Sequence, residues 1–140
     1  MYVPFAPFPA IVFMPLMVLI SPATAHAWEP LINGALAAAD VGLAWLLAGR
    51  LGVRSLVDRF WLVVLLGLST PIWWVSTRGG VWHTGHLIAV MLTLGALIEA
   101  WGRRRPWLLG LLGGAAFLTR APLAFAVPFF AWVVTWRDRP

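Results

Sequence analysis

Two arginines, Arg78 and Arg120, lie beside long apolar segments and carry the most distinctive chemistry in this sequence. A guanidinium group presents a planar fork of N–H donors that can bind a phosphate through two hydrogen bonds at once. An arginine between short apolar segments is costly in lipid and usually faces a cavity or a partner. We therefore predict that both arginines face a shared, anion-binding cavity. The alternative interpretation is that Arg78 extends from an ordinary loop and Arg120 caps the end of a helix.

Two histidines, His83 and His86, lie three positions apart near the start of an apolar segment, so a helix would place them on one face. A metal site would need a third ligand, and no nearby Asp or Glu offers one, so no metal site is predicted. We expect the rings to hydrogen-bond to a phosphate, to a sugar or to a neighbouring helix. A purely structural role for neutral histidines at a membrane interface remains the alternative.

One carboxylate, Asp40, falls inside an apolar segment, about nine residues or roughly 14 Å along it if that segment is a helix. A carboxyl group at that depth is expensive and should face other helices. A proton or ion relay would need further acidic residues, and only Glu99 is available, near the far end of another segment. We therefore predict structural hydrogen bonding for Asp40, with Asn33, Ser69 and Thr70 as candidate partners.

The composition indicates a membrane protein. The chain is 61% hydrophobic and 11% charged, with a mean hydropathy of +0.87, whereas soluble domains are about 25% charged. A globule of this size could not bury so much apolar surface. The net charge of +5 resides at the ends of apolar runs, which argues against nucleic-acid binding. The absence of cysteine excludes disulfides and thiolate chemistry.

The apolar runs predict an all-α, polytopic transmembrane bundle with about five spans and an N-terminal interfacial helix, in a single partial domain covering residues 1–140. The expected membrane helices are 31–50, 60–77, 81–101, 107–119 and 121–136. Residues 1–27 contain several prolines and an apolar run shorter than the ~20 residues that span a bilayer, so we expect an interfacial or re-entrant segment. A cleaved signal peptide ending at Ala25-His26-Ala27 and a true span are the alternatives.

The distribution of arginines predicts the orientation of this bundle. Five successive spans would put most arginines on one side and leave Arg78 and Arg120 on the other. Those on the first side are Arg50, Arg54, Arg59, Arg103, Arg104, Arg105, Arg137 and Arg139. By the positive-inside rule that side is cytoplasmic, with the C-terminus. A hairpin over 107–136 preserves the pattern and is preferred to one helix kinked at Pro122.

The stretch GGVWHTGHLIAVMLTLGALIEAWGRRRPWLLGLLGGAAFLTRAPLAFAVPFF resembles the GT-C superfamily of integral-membrane glycosyltransferases. It is similar in particular to bacterial relatives of the dolichyl-phosphate-mannose protein mannosyltransferases and the aminoarabinose transferases. Trp82 and His86 match the family's helix start, and Thr119, Arg120 and Pro122 match its hairpin tip. The opening YVPFAPFPAIVFMPLMVLI resembles the family's Pro-rich segment.

The resemblance implies transfer of a sugar from a polyprenyl-phosphate donor at the extracytoplasmic face of the bacterial plasma membrane. Together with the arginine and histidine chemistry described above, it leads us to expect that Arg120, Arg78, His86 and His83 bind the donor phosphate. The catalytic base, an Asp in the family's first extracytoplasmic loop, is expected upstream of Met1, so the chain is interpreted as a partial enzyme. No cofactor is predicted, although a divalent metal in the intact enzyme stays open.

The expected partners are the lipid-linked sugar donor, membrane lipids and the remaining helices of a longer protein, with no nucleic acid. The alternative function is a non-catalytic membrane bundle: a subunit, a lipid-binding scaffold or a transporter fragment. A transporter would tend to show an inverted repeat, which this sequence lacks.

Overall fold

The computed structural model describes residues 7–19 and 22–136, and over these residues the chain is all-helical, without strands. The predicted all-α class is therefore confirmed at this level. Seven α-helices and one 3₁₀ helix follow in order. They are α1 (Pro7–Leu19), α2 (Pro22–Arg50), α3 (Leu56–Ser69), α4 (Ile72–Ser76), α5 (Val81–Ala100), α6 (Pro106–Thr119), a 3₁₀ helix (Ala121–Ala126) and α7 (Val127–Trp136).

Helix α5 is the central element of the bundle, because it packs extensively against both α2 and α6. Small residues allow this close packing: Ala96 and Ala100 are fully buried, and Leu112 of α6 lies in van der Waals contact with the position that a Cβ on Gly95 would occupy. Such contacts let helix backbones approach one another, which is how helices associate in lipid. The core therefore consists of side chains on both sides of α5.

Helices α2 and α5 run parallel and pack against each other. In the first turn of α5 the hydroxyl of Thr84 donates a hydrogen bond to the side-chain oxygen of Asn33 in α2 over 2.7 Å. At the C-terminal end of α2 the guanidinium group of Arg50 lies against Gly102, in the turn that follows α5. The two helices are therefore in contact near Asn33 and again near Arg50.

The single helix expected over 60–77 is instead two helices, because Pro71 interrupts it. Proline lacks an N–H donor and disfavours helical backbone in the preceding residue, and Thr70 is accordingly extended, with φ −110° and ψ 169°. The Thr70 hydroxyl donates to the carbonyl of Leu66. Helix α3 also begins earlier than expected, where the Ser55 side chain accepts the backbone N–H of Asp58.

Helix α6 and the elements after it form a hairpin rather than one kinked helix. Arg120 is extended, with φ −148° and ψ 113°, and separates α6 from the 3₁₀ helix. A core cluster of Ala96, Ala100, Leu109 and Val133 brings the start of α6 and the end of α7 to the same part of α5. The chain therefore reverses at Arg120, and the tip of the hairpin lies beside the start of α5.

Two segments are long and apolar enough to cross a membrane, Ala27–Arg50 and Val81–Ala100. Only 28% and 33% of their most apolar windows are buried, so most of each surface faces outward rather than into a protein core. Helix α3 buries no residue at all. Among the described residues, the other expected spans form shorter helices, so the number of membrane crossings is not established by helix length.

The N-terminal boundary also differs from the expectation. Helix α2 starts at Pro22, so residues 22–27, which were assigned to the interfacial segment, belong to the same helix as the predicted span 31–50. The predictions for residues 1–6 and 20–21, and for Arg137 and Arg139, lie outside the described residues.

Candidate functional site

The charged and polar side chains divide between two ends of the α2–α5 pair. We call the end that contains the N-terminus of α5 the histidine end; it holds Glu29, Asn33, Trp74, Arg78, Trp82, His83, Thr84, His86 and Arg120. We call the opposite end the arginine end; it holds Arg50, Arg54, Arg59, Glu99, Arg103, Arg104 and Arg105. All four predicted site residues thus lie at the histidine end.

A buried hydrogen-bond network fixes the loop that carries Arg78. Asn33 is fully buried, and its side-chain N–H donates to the backbone carbonyl of Arg78 over 2.7 Å. Its oxygen accepts from Thr84, whose hydroxyl also lies 3.2 Å from the carbonyl of Gly80. Gly80 has φ 122°, a conformation that L side chains rarely adopt. The loop therefore has one conformation, held from α2.

Arg78 and His83 are connected through one tryptophan ring. The guanidinium carbon of Arg78 lies 4.7 Å from the ring centroid of Trp74, which is cation–π geometry. The rings of Trp74 and His83 meet edge to face with centroids 5.1 Å apart. His83 Nδ1 lies 3.0 Å from the carbonyl oxygen of Gly79. A carbonyl can only accept, so Nδ1 carries the hydrogen in this contact.

Arg120 and His86 are connected through a second tryptophan in the same way. The guanidinium carbon of Arg120 lies 4.6 Å from the Trp82 ring centroid, and the Trp82 and His86 rings are 4.3 Å apart. The rings of Trp82 and His83 lie 6.0 Å apart, which joins the two halves. His86 Nε2 is buried and has no hydrogen-bond partner among the described residues.

The site is therefore a row of aromatic rings with an arginine at each end, in the order Arg78, Trp74, His83, Trp82 and Arg120, with His86 beside Trp82. The two tryptophans are the members that sequence reasoning did not assign to the site. The signal for them was spacing, because Trp74 precedes Arg78 by four positions and Trp82 precedes His86 by four. Residues four apart on a helix are neighbours.

The carboxylate of Glu29 also belongs to the histidine end. Its Oε2 lies 2.7 Å from the position that a Cβ on Gly79 would occupy. Only a residue without a side chain leaves this room, so the glycine lets the carboxylate approach the loop backbone. The N-terminal part of α2 thus contributes one acidic group next to the loop that carries Arg78.

The predicted hydrogen-bonding role of Asp40 is wrong for the described residues. Asp40 is fully buried, and neither carboxyl oxygen has a hydrogen-bond partner there. Asn33 is instead engaged by Thr84 and Arg78, and the hydroxyl of Thr70 bonds to the backbone of its own helix. Two of the three candidate partners are thus engaged elsewhere, Asn33 across to the Arg78 loop and α5, and Thr70 within its own helix.

The described residues contain no group of three or more His, Cys, Asp or Glu side chains that could hold a metal ion. They do contain a cleft of about 540 Å³ between α6 and the 3₁₀–α7 segment. Its walls are apolar and include Gly110, Gly113, Phe117, Val127 and Phe130, and none of the four predicted site residues lines it. The cleft is therefore distinct from the row of cations and rings.

At the arginine end, one ion pair closes the α5–α6 turn. The Nε and Nη2 atoms of Arg105 donate to the two carboxylate oxygens of Glu99 over 2.9 and 3.0 Å, and the Arg105 backbone N–H donates to Oε1 over 3.0 Å. This pairing raises the pKa of Arg105 above its ordinary value. The pair neutralises one carboxylate and leaves the remaining arginines of this end in excess.

The fold and the site together define an all-helical bundle with apolar outer faces and a cation–aromatic row at one end. No protein-family model, curated protein or solved structure matches the chain.

Proposed function

We propose that this chain is the donor-binding part of a membrane-embedded glycosyltransferase similar to the GT-C superfamily. The histidine end would bind the phosphate of a polyprenyl-phosphate sugar at the extracytoplasmic face, and the arginine end would lie at the cytoplasmic face. The bundle would be polytopic, in a bacterial plasma membrane, with a cytoplasmic C-terminus.

The observation that supports this proposal most is the row of aromatic contacts that joins Arg78, His83 and His86, from one part of the chain, to Arg120 from another. Both guanidinium groups stack on tryptophan rings at 4.7 and 4.6 Å, which restricts their motion before any ligand arrives. Restricting side chains in advance lowers the entropic cost of binding. The arrangement suits an anion that carries several oxygens, and a phosphate is such an anion.

In sugar transfer, negative charge grows on the lipid phosphate as it leaves the sugar. Cations that are already positioned stabilise this charge without reorganising, and this lowers the barrier. Arg120 would contact the leaving phosphate directly, since it lies at the hairpin tip beside His86. The proposal assigns no catalytic base to this chain.

Binding of a polyprenyl phosphate to the purified chain in micelles, measured by native mass spectrometry, tests the proposal. A polyprenol of equal length without phosphate is the matched lipid control. Arg120→Ala should weaken binding of the phosphate lipid by about tenfold or more, because it removes hydrogen bonds to a charged group. Arg54→Ala, which removes the same charge from the arginine end, should have little effect. Equal binding of the two lipids by the unaltered chain would refute the assignment.

The orientation has its own test, which the absence of native cysteine makes simple. Single-cysteine variants Thr77→Cys and Leu51→Cys place a thiol at exposed positions of the two ends. A maleimide that cannot cross the membrane, added to intact cells, should label position 77 and leave position 51 unlabelled until the cells are opened. Labelling of position 51 alone would invert the orientation.

The second candidate is a non-catalytic bundle that binds lipid or other helices. Two observations favour it: the apolar cleft between α6 and α7, and the fact that none of the residues of α3 is buried. This alternative predicts that the chain retains the polyprenol as well as the polyprenyl phosphate, and that Arg120→Ala changes neither. The same binding experiment therefore separates the two functions.

A further inference from the structure

The arginine end carries more positive charge than its carboxylates can neutralise. The described residues of this end hold six arginines and two carboxylates, an excess of four positive charges. One of the carboxylates, Glu99, is already occupied by Arg105. The other, Asp58, lies in the first turn of α3, where the helix dipole favours a negative charge.

Two glycines of this end act as contact surfaces for guanidinium groups. The position that a Cβ on Gly102 would occupy is already filled by Arg50, and that on Gly49 lies 2.9 Å from an Nη atom of Arg59. Arg59 also donates through Nε to the carbonyl of Val53 over 2.5 Å and lies over the Trp45 ring. The side chains of Arg50 and Arg59 are therefore held by the backbone rather than only extended into solvent.

The contact between Arg50 and Gly102 joins the two loops of this end. Arg50 ends α2, and Gly102 belongs to the turn that leads to Arg103 and Arg104. Arg104 adopts φ 57°, an uncommon conformation for a residue with a side chain. The following helix, α6, starts at Pro106, and the backbone N–H groups of Leu108 and Leu109 donate to the carbonyl of Arg105.

This end also carries the apolar groups expected at the edge of a bilayer. Leu51, Leu56, Val57 and Trp107 are all more than half exposed, and the guanidinium carbon of Arg105 lies 5.8 Å from the Trp107 ring centroid. A soluble acidic partner would contact the arginines and leave these apolar side chains exposed to water. A phospholipid would contact both, with its phosphate on the arginines and its acyl chains on the apolar surface.

We propose that Arg50, held on Gly102 beside Arg103, forms a binding site for the headgroup phosphate of an anionic phospholipid. Clusters of basic residues next to membrane helices bind anionic lipids in this way. The site is separate from the histidine end and from the polyprenyl-phosphate donor, so either assignment can fail without the other.

The test is native mass spectrometry of the whole purified chain in micelles with phosphatidylglycerol or phosphatidylcholine of identical acyl chains. The unaltered chain should retain the phosphatidylglycerol at least about tenfold more strongly. Arg50→Gln should reduce this preference by about tenfold, because it removes direct hydrogen bonds to a charged phosphate. Gly102→Ala should reduce it similarly without changing the charge, because the new methyl group would overlap Arg50. The same methyl group would lie 3.0 Å from the carbonyl oxygen of Ile98, so helix content is measured in this variant.

Two control variants make the comparison specific. Gly42→Ala adds a methyl group to α2 where no atom lies within 4 Å, so it should retain the full preference. Arg54→Gln removes one charge from the exposed loop and should change the preference by less than about twofold. Should Gly102→Ala lose helix content by circular dichroism, Arg50→Lys replaces it, since lysine keeps the charge but lacks the planar fork; an intermediate loss is then expected.

Three results would overturn the proposal. Equal losses in Arg50→Gln and Arg54→Gln, with Gly102→Ala unchanged, would mean diffuse electrostatic attraction. Displacement of the lipid by millimolar inorganic phosphate would mean a soluble anion is the ligand. Stronger retention of an oligoglutamate peptide than of phosphatidylglycerol would mean that an acidic protein segment is the partner.

Discussion

The buried pair of Asn33 and Thr84 gives the sharpest test of how this bundle holds its candidate site. The side chain of Asn33 ties the Arg78 loop to α2 and to α5, through hydrogen bonds of 2.7 Å to Arg78 and 2.7 Å to Thr84. The perturbations are Asn33→Leu, Thr84→Val and the two combined. Each replaces a polar side chain by an apolar one of similar size.

The expected magnitudes follow from these contacts. Asn33→Leu removes two hydrogen bonds and leaves the Arg78 carbonyl without this donor, which should cost about 2–4 kcal/mol. Thr84→Val removes one side-chain bond to Asn33 and should cost about 1–2 kcal/mol. Because the Asn33–Thr84 bond is lost in both single variants, the double variant should lose less than their sum. For helices in lipid-like surroundings, the coupling should be about 0.6–1.7 kcal/mol.

The assay is equilibrium unfolding of the purified chain in mixed micelles, followed by circular dichroism at increasing mole fractions of denaturing detergent. The four free energies of unfolding give the coupling as a double-mutant cycle. The loop should also loosen, so the amide hydrogens of residues 77–80 should exchange faster in Asn33→Leu. A coupling below about 0.3 kcal/mol, with all variants folded, would refute the claim that this bond joins α2 to α5.

Three further predictions concern single residues. Gly80→Ala should destabilise the chain by about 1–3 kcal/mol because of its φ of 122°. Gly79→Ala should cost less, since Gly79 has no positive φ and the new methyl group would meet only the Glu29 side chain, at Oε2 (2.7 Å) and Cβ (3.2 Å). Thermal unfolding compares the two variants, and equal losses would contradict the conformational argument. Asp40→Leu should raise the free energy of unfolding by about 1–3 kcal/mol, because the buried carboxyl group has no described hydrogen-bond partner. Detergent unfolding measures this free energy, and a loss of stability would mean that the carboxyl group has a hydrogen-bond partner. Glu99→Gln should make the α5–α6 turn more mobile, because it weakens the hydrogen bonds from Arg105, and the amide hydrogens of residues 103–107 should exchange faster. Unchanged exchange rates would mean that the ion pair does not stabilise the turn.

The long apolar runs allowed the main helices to be predicted because each has a clear chemical boundary. Val81 follows two glycines and Ala100 precedes Trp101-Gly102, so α5 is visible in the sequence. The break at Pro71 was also visible in principle. Pro71 lies inside the apolar run over which a single span, 60–77, is predicted. The extended backbone that this proline imposes on Thr70 ends α3 instead.

The candidate site was only partly predictable for a different reason. Arginines and histidines are conspicuous in an apolar sequence, so Arg78, His83, His86 and Arg120 could be chosen individually. Which rings lie between them depends on where the tip of the α6–α7 hairpin meets α5, and that is a tertiary contact. Tryptophan is also common at membrane interfaces, so Trp74 and Trp82 could be explained without any role in a site.

The two contacts between α2 and the α5 segment, at Asn33 and at Arg50, fix the distance between the two ends of the bundle. From Asn33 to Arg50, α2 rises about 26 Å. The hydrocarbon interior of a bilayer is about 30 Å thick. A single-residue insertion in the middle of either helix would rotate one pinned contact by about 100° while leaving the other in place. The distance between the histidine end and the arginine end is consequently set by the length of these helices.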